Sequence, residues 1–105
     1  MSPGLYILLP QANEDLVESS AYLIQNATTE VATRFVRSIF STSALIATMP
    51  GIGLNCRFKR PELRKVRRLP VTNFVRWLIF YYPTSEGVDI LRVIHSSRDW
   101  RRLFE

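Results

Sequence analysis

The chain has 105 residues, 47% of them hydrophobic, and a net charge of +5. That length holds one domain and one buried core. The single cysteine, Cys56, excludes an internal disulfide and a Cys/His zinc site, so no metal or other cofactor is expected and a reducing cytoplasmic setting is.

Charge is divided along the chain. Residues 1–56 carry two arginines against four acids, a net of −2, and residues 57–105 carry twelve Arg or Lys against five acids, a net of +7. A basic half calls for an acidic partner, nucleic acid or an acidic protein segment. A solvated basic face is the plain alternative.

Leu5–Leu9 is a continuous apolar run and predicts a short buried strand, stopped by Pro10. It is too short to cross a membrane, and the N-terminus lacks the basic start of a secretory leader. Gln11 to about Gln25 predicts a helix with Ala12, Leu16, Ser20 and Leu23 on its apolar stripe, widened by Val17 and Ile24. Glu14 and Asp15 are expected in its first turn, where the helix dipole favours negative charge. Thr28 or Thr29 can cap a second helix, Glu30 to about Thr48. Its stripe is Ala32, Phe35, Val36, Ile39, Phe40, Ser43 and Ala47, with Arg34, Arg37, Ser38, Ser41 and Thr42 on the other side. Two helices joined by a short turn predict an antiparallel hairpin lying on a sheet.

Gly51–Pro61 has no clean period and reads as a loop. Eight of the twenty residues from Arg57 to Arg76 are basic, and Glu62 is the one acid. Leu63–Val71 and Phe74–Tyr82 predict strands joined by a Thr72-Asn73 turn. Val88–His95 predicts a further strand, covered on both faces. Ser96 is then the expected N-cap of a terminal helix, Arg98–Phe104. Three consecutive strands make an antiparallel meander, and the N-terminal strand must join the same sheet. The class is α+β, in the order β-α-α-β-β-β with a short C-terminal helix.

Arg92 lies inside an apolar strand and needs an acid such as Asp15 or Glu18, because a buried unpaired Arg is very costly. His95, the lone histidine, has no carboxylate partner in view and reads as structural rather than a general base. Trp77, Tyr81 and Tyr82 read as core and sheet surface. Cys56 has no base beside it in sequence and is assigned no role.

This order resembles the RelE/ParE superfamily of toxins from bacterial type II toxin–antitoxin systems. The likeness rests on Ala12-x-x-Asp15-Leu16, Tyr22-Leu23, Ala32-x-x-Phe35, Pro50-Gly51-x-Gly53, Leu63-Arg64, Leu69-Pro70-Val71 and Leu78-Ile79-Phe80-Tyr81. Ile90-Leu91-Arg92-Val93-Ile94-His95 followed by Arg98-Asp99 is its most specific part. The resemblance implies a cytoplasmic growth-arrest toxin of the kind associated with plasmid stabilization, in a hetero-oligomer with an antitoxin. RelE-like members cleave mRNA at the ribosome; ParE-like members inhibit DNA gyrase. RelE-like sites often place a Tyr near the C-terminus, and Arg98–Glu105 has none. They also carry an Arg three residues before a strand Tyr; with Tyr81 as that Tyr, the position holds Leu78. The ParE branch therefore fits better, with no catalytic residues expected. Its target-binding residues would be Arg64, Arg67, Arg98 and Trp100, and the antitoxin's acidic segment would meet Arg57, Lys59, Arg60 and Arg68. In the alternative, mRNA cleavage, Lys65, Arg67 and Arg98 would be the catalytic set. A degenerate member that only binds its antitoxin is the third reading.

Overall fold

The computed structural model describes residues 4–105. Residues 1–3, on which the expectation of no secretory leader partly rests, lie outside them. Among the described residues no helix is long and apolar enough to cross a membrane. The elements are β1 (Leu5–Leu8), α1 (Pro10–Asn26), α2 (Thr29–Thr48), β2 (Leu54–Asn55), a 3-10 turn (Pro61–Leu63), β3 (Arg67–Val71), β4 (Phe74–Pro83), β5 (Gly87–His95) and α3 (Trp100–Phe104). They form one five-stranded sheet in the order β1-β5-β4-β3-β2. The fold is α+β as expected, but the sheet is mixed rather than wholly antiparallel. The meander β3-β4-β5 is antiparallel, whereas β1 runs parallel to β5.

The helical hairpin covers one face of the sheet. Phe35, Ile39 and Ile46 of α2 and Leu16 and Leu23 of α1 meet Ile79, Tyr81, Val88, Ile90 and Val93 in the main core. Phe35 packs edge-on against Phe74 and Trp77, with centroids 5.3 and 5.2 Å apart. The opposite face carries a smaller core of Cys56, Phe58, Val66, Phe80 and Ile94, roofed by Trp100 and Phe104 of α3. Two covered faces account for the nearly unbroken apolar sequence of β5, which lies between β1 and β4. Asn73 turns the chain between β3 and β4 at a φ of 67°, in the left-handed region that Asn tolerates.

Several expectations are corrected. β1 is an edge strand, not a buried one: Tyr6 and Leu8 pack on the core while Leu5 and Ile7 are exposed. Pro10, which ends β1, is the first residue of α1, where its missing N–H costs nothing. That earlier start carries Glu14 and Asp15 beyond the first turn. Val17 and Ile24 do not widen the buried stripe and are exposed. On α2, Thr28 is the cap, its Oγ1 accepting the Val31 N–H at 3.0 Å. Phe40 is exposed, while Ser38 and Thr42, placed on the polar side, are buried. Thr42 Oγ1 accepts the Thr72 N–H at 3.1 Å, tying α2 to the β3–β4 turn. The 51–61 loop contains β2, which pairs with Arg67 and Arg68. Leu63–Val66 is not strand, because the 3-10 turn delays β3 to Arg67. Ser96 does not cap α3. Its N–H bonds the Arg76 carbonyl at 2.6 Å beside the β4–β5 ladder, and Asp99 takes the cap position.

Candidate functional site

Arg92 and Asp15 organise the C-terminal end of β5. A bulge between Ile90 and Arg92 leaves Leu91 unopposed, since Ile90 faces Tyr81 and Arg92 faces Phe80. β1 ends opposite Ile90, so the next stretch of this edge has no strand partner. Asp15 takes its place. Asp15 Oδ2 accepts Arg92 Nε at 2.8 Å and the Val93 N–H at 2.9 Å, and Oδ1 accepts Arg92 Nη2 at 3.0 Å. The expected buried pair is therefore present, with α1 clamped to β5.

Beside this clamp lies a groove of about 350 Å³ between α1 and the end of β5. Trp77, Tyr22, Glu18, His95 and Arg98 line it. His95 packs edge-on against Trp77, centroids 4.6 Å apart. The Ser97 N–H donates to His95 Nδ1 at 3.1 Å, and Ser97 Oγ lies 2.8 Å from the same nitrogen. These contacts fit the structural reading of His95. Arg98 is exposed and makes no ion pair among the described residues.

The other singled-out cations lie elsewhere. Arg67 Nη1 donates to the Gly53 carbonyl at 2.6 Å and reaches the Gly51 carbonyl at 3.4 Å. Tyr81 holds the same loop: its hydroxyl donates to the Pro50 carbonyl at 2.7 Å and accepts the Gly53 N–H at 2.8 Å. Burial pushes the Tyr81 phenol up from its ordinary value, so it stays the neutral donor this loop needs. A side chain at Gly53 would collide with that ring. Tyr81→Phe should therefore lower stability by about 1–3 kcal/mol, the cost of orphaning a buried carbonyl and N–H. Urea unfolding measures this, and an unchanged midpoint would refute the clamp.

Arg67 stands opposite Tyr81, and His95 opposite Trp77, four residues along β4. Those positions are separated by roughly 13 Å along the strand. Arg67 and the strand end that leads to Arg98 therefore stand at different levels of the sheet. Arg64 and Lys65 are exposed after the 3-10 turn. Arg57, Lys59 and Arg60 project from the segment over the smaller core, and Arg60 pairs with Glu62 at 3.1 Å. Trp100 lies over Phe80, with the Arg68 and Arg101 guanidiniums each 5.0 Å from its ring. Arg101 also donates to the Cys56 carbonyl at 3.1 Å and lies 5.4 Å from the Phe58 ring. Nothing local in the sequence marks Arg101, because Cys56 and Phe58 lie more than forty residues from it. Cys56 is buried, and burial raises its thiol against the pull of Arg68 and Arg101, so it is an inert core residue. Among the described residues no group of His, Cys, Asp and Glu could hold a metal.

A search of curated proteins finds no match. Among solved structures, one described as the chromosomal ParDE TA system from P. aeruginosa superposes with a TM-score of 0.71 at 16% identity. The match covers 89% of this chain and 96% of that one, and shows a common fold. The model of the ParE toxin of the type II toxin–antitoxin system parDE matches residues 6–100, from β1 to the start of α3. The chain therefore belongs to the ParE toxin family of type II toxin–antitoxin systems.

Proposed function

We propose that this protein arrests growth by inhibiting DNA gyrase and is neutralised by a cognate antitoxin. The observation that carries the reading is the ParE family match across residues 6–100. Two features support it. The Arg67 guanidinium is engaged by loop carbonyls, and Arg67 pairs with β4 four residues from the position opposite His95, the strand end that leads to Arg98. Arg98 instead borders the groove at the end of β5, where it is free to meet a target, with Arg64 and Trp100 as further contacts.

The antitoxin reading is supported by exposed apolar groups on the helical hairpin and the sheet edge. Val17, Tyr22 and Ile24 on α1, Leu45 on α2, Met49 just beyond it, and Ile7 on β1 are uncovered. An amphipathic segment that folds on binding covers such a surface, and its acidic residues can reach Arg57, Lys59, Arg60 and Arg68 if it wraps the domain.

A gyrase supercoiling assay tests the proposal. The purified chain should block supercoiling and accumulate cleaved DNA, and Arg98→Ala should weaken this by roughly tenfold or more, the scale of one lost charged contact. Unchanged supercoiling by the wild-type chain would overturn the proposal. Cuts within codons of translated mRNA, mapped by primer extension after induction, would replace it with mRNA cleavage.

A further inference from the structure

The basic ridge over the smaller core is unlike the rest of the surface. Arg57, Lys59, Arg64 and Lys65 come from the segment between β2 and β3, and Arg101 and Arg102 from α3. All six are exposed, and none forms an ion pair among the described residues. Nearby acids do little to neutralise them: Glu62 bonds Arg60, and Glu105 accepts the Lys59 N–H. The apolar groups beneath, Cys56, Phe58 and Phe80, are buried. The exposed apolar groups named above lie on the hairpin and the β1 edge instead. Near the ridge, Leu103, Leu54 and Ile52 are exposed.

This separation has a chemical meaning. An amphipathic protein segment seats its apolar face first, and that surface lies on the hairpin and the β1 edge, so only the acidic residues of such a segment could extend to the ridge. A polyanion whose charges are its outer surface needs only the cations. A single strand would also need free aromatic faces for its bases to stack on. The aromatic at hand, Trp100, has two guanidiniums over its ring. What remains is the phosphate backbone of a duplex, met without reading sequence. The two halves of the chain, −2 and +7, would orient the molecule with the ridge towards it.

We propose that the ridge formed by residues 57–65 and α3 binds the backbone of duplex nucleic acid. The inference goes beyond gyrase inhibition and does not require it, because the ridge can be tested with no gyrase present.

Fluorescence anisotropy of the full-length chain with a labelled 24-bp DNA duplex is the experiment, and about four phosphate contacts would weaken binding by roughly 100-fold between 50 and 200 mM salt. The triple variant Lys59→Gln/Arg64→Gln/Lys65→Gln removes cations whose side chains have no partner among the described residues, so circular dichroism should match the wild type. It should bind at least tenfold more weakly and lower the salt slope by about 3. Arg34→Gln/Arg37→Gln on α2, equally exposed, should change affinity by less than about twofold. An RNA duplex of the same sequence identifies the source: equal binding means any duplex backbone, weaker binding means B-form DNA. A duplex that does not bind at 50 mM salt, or that binds the triple variant as tightly as the wild type, would overturn the inference. Binding of a polyglutamate peptide without binding of either duplex would assign the ridge to an acidic protein segment instead.

Discussion

Asp15→Ala is expected to destabilise the protein by about 3–5 kcal/mol, the range for removing one partner of a buried ion pair. One carboxylate does three jobs. It takes Arg92 in a bidentate grip, satisfies the Val93 N–H where β5 has no strand neighbour, and fixes α1 against the sheet. Its side chain is 5% exposed and that of Arg92 18%, so water cannot readily replace it. Without it a guanidinium and an amide are left without their partner. At about 4–8 °C per kcal/mol, the thermal midpoint should fall by more than roughly 12 °C. Asp15→Leu/Arg92→Met separates the terms. With both charges gone most of the loss should return, because an apolar pair replaces a desolvated ionic one. The Val93 N–H stays unpaired, so recovery should stop about 1–3 kcal/mol short. A single-variant loss below about 1 kcal/mol would mean the pair behaves like an exposed salt bridge.

That pair was legible because its logic needs no coordinates: an arginine within an apolar strand must find an acid. The hairpin, the α2 cap and the two long strands were legible through periodicity and local chemistry. What escaped was set by tertiary neighbours. Leu5–Leu9 reads as buried because an apolar run looks alike on an edge or inside a sheet, and only its place beyond β5 leaves Leu5 and Ile7 exposed. β2 is two residues long and exists because β3 pairs with it. Ser96 has the local chemistry of a cap, but its N–H is bonded to the Arg76 carbonyl on β4. Residue type and proximity in sequence point to the functional residues. Their distribution was not legible, because side-chain alternation and the loop carbonyls decide where Arg67 points.

Phe80→Ala should cost a similar amount, about 3–5 kcal/mol, and should fail in a different place. Phe80 is fully buried in the smaller core, its ring 5.2 Å from Trp100 and 5.0 Å from Phe104. α3 has five residues, too few to be helical without packing. It is held by those rings, by Phe58, and by the Lys59 N–H to Glu105 bond. Emptying the Phe80 site should let α3 open while the hairpin and main core stay closed. Phe35→Ala, also at a fully buried site, empties the main core and leaves the seat of α3 intact. Trypsin can report the difference, since α3 carries Arg101 and Arg102. At a temperature where near-ultraviolet circular dichroism shows both variants folded, cleavage after these residues should be at least tenfold faster in Phe80→Ala, an opening made easier by about 1.4 kcal/mol. Equal rates would mean that Phe80 does not seat α3. Phe104→Ala disturbs less of the core and repeats the test from the helix side. If the C-terminal helix carries target binding, gyrase inhibition should fall in Phe80→Ala and Phe104→Ala in proportion to the trypsin rate, and should persist in Phe35→Ala. A loss that followed the urea midpoint across all three variants would tie inhibition to global stability and not to α3.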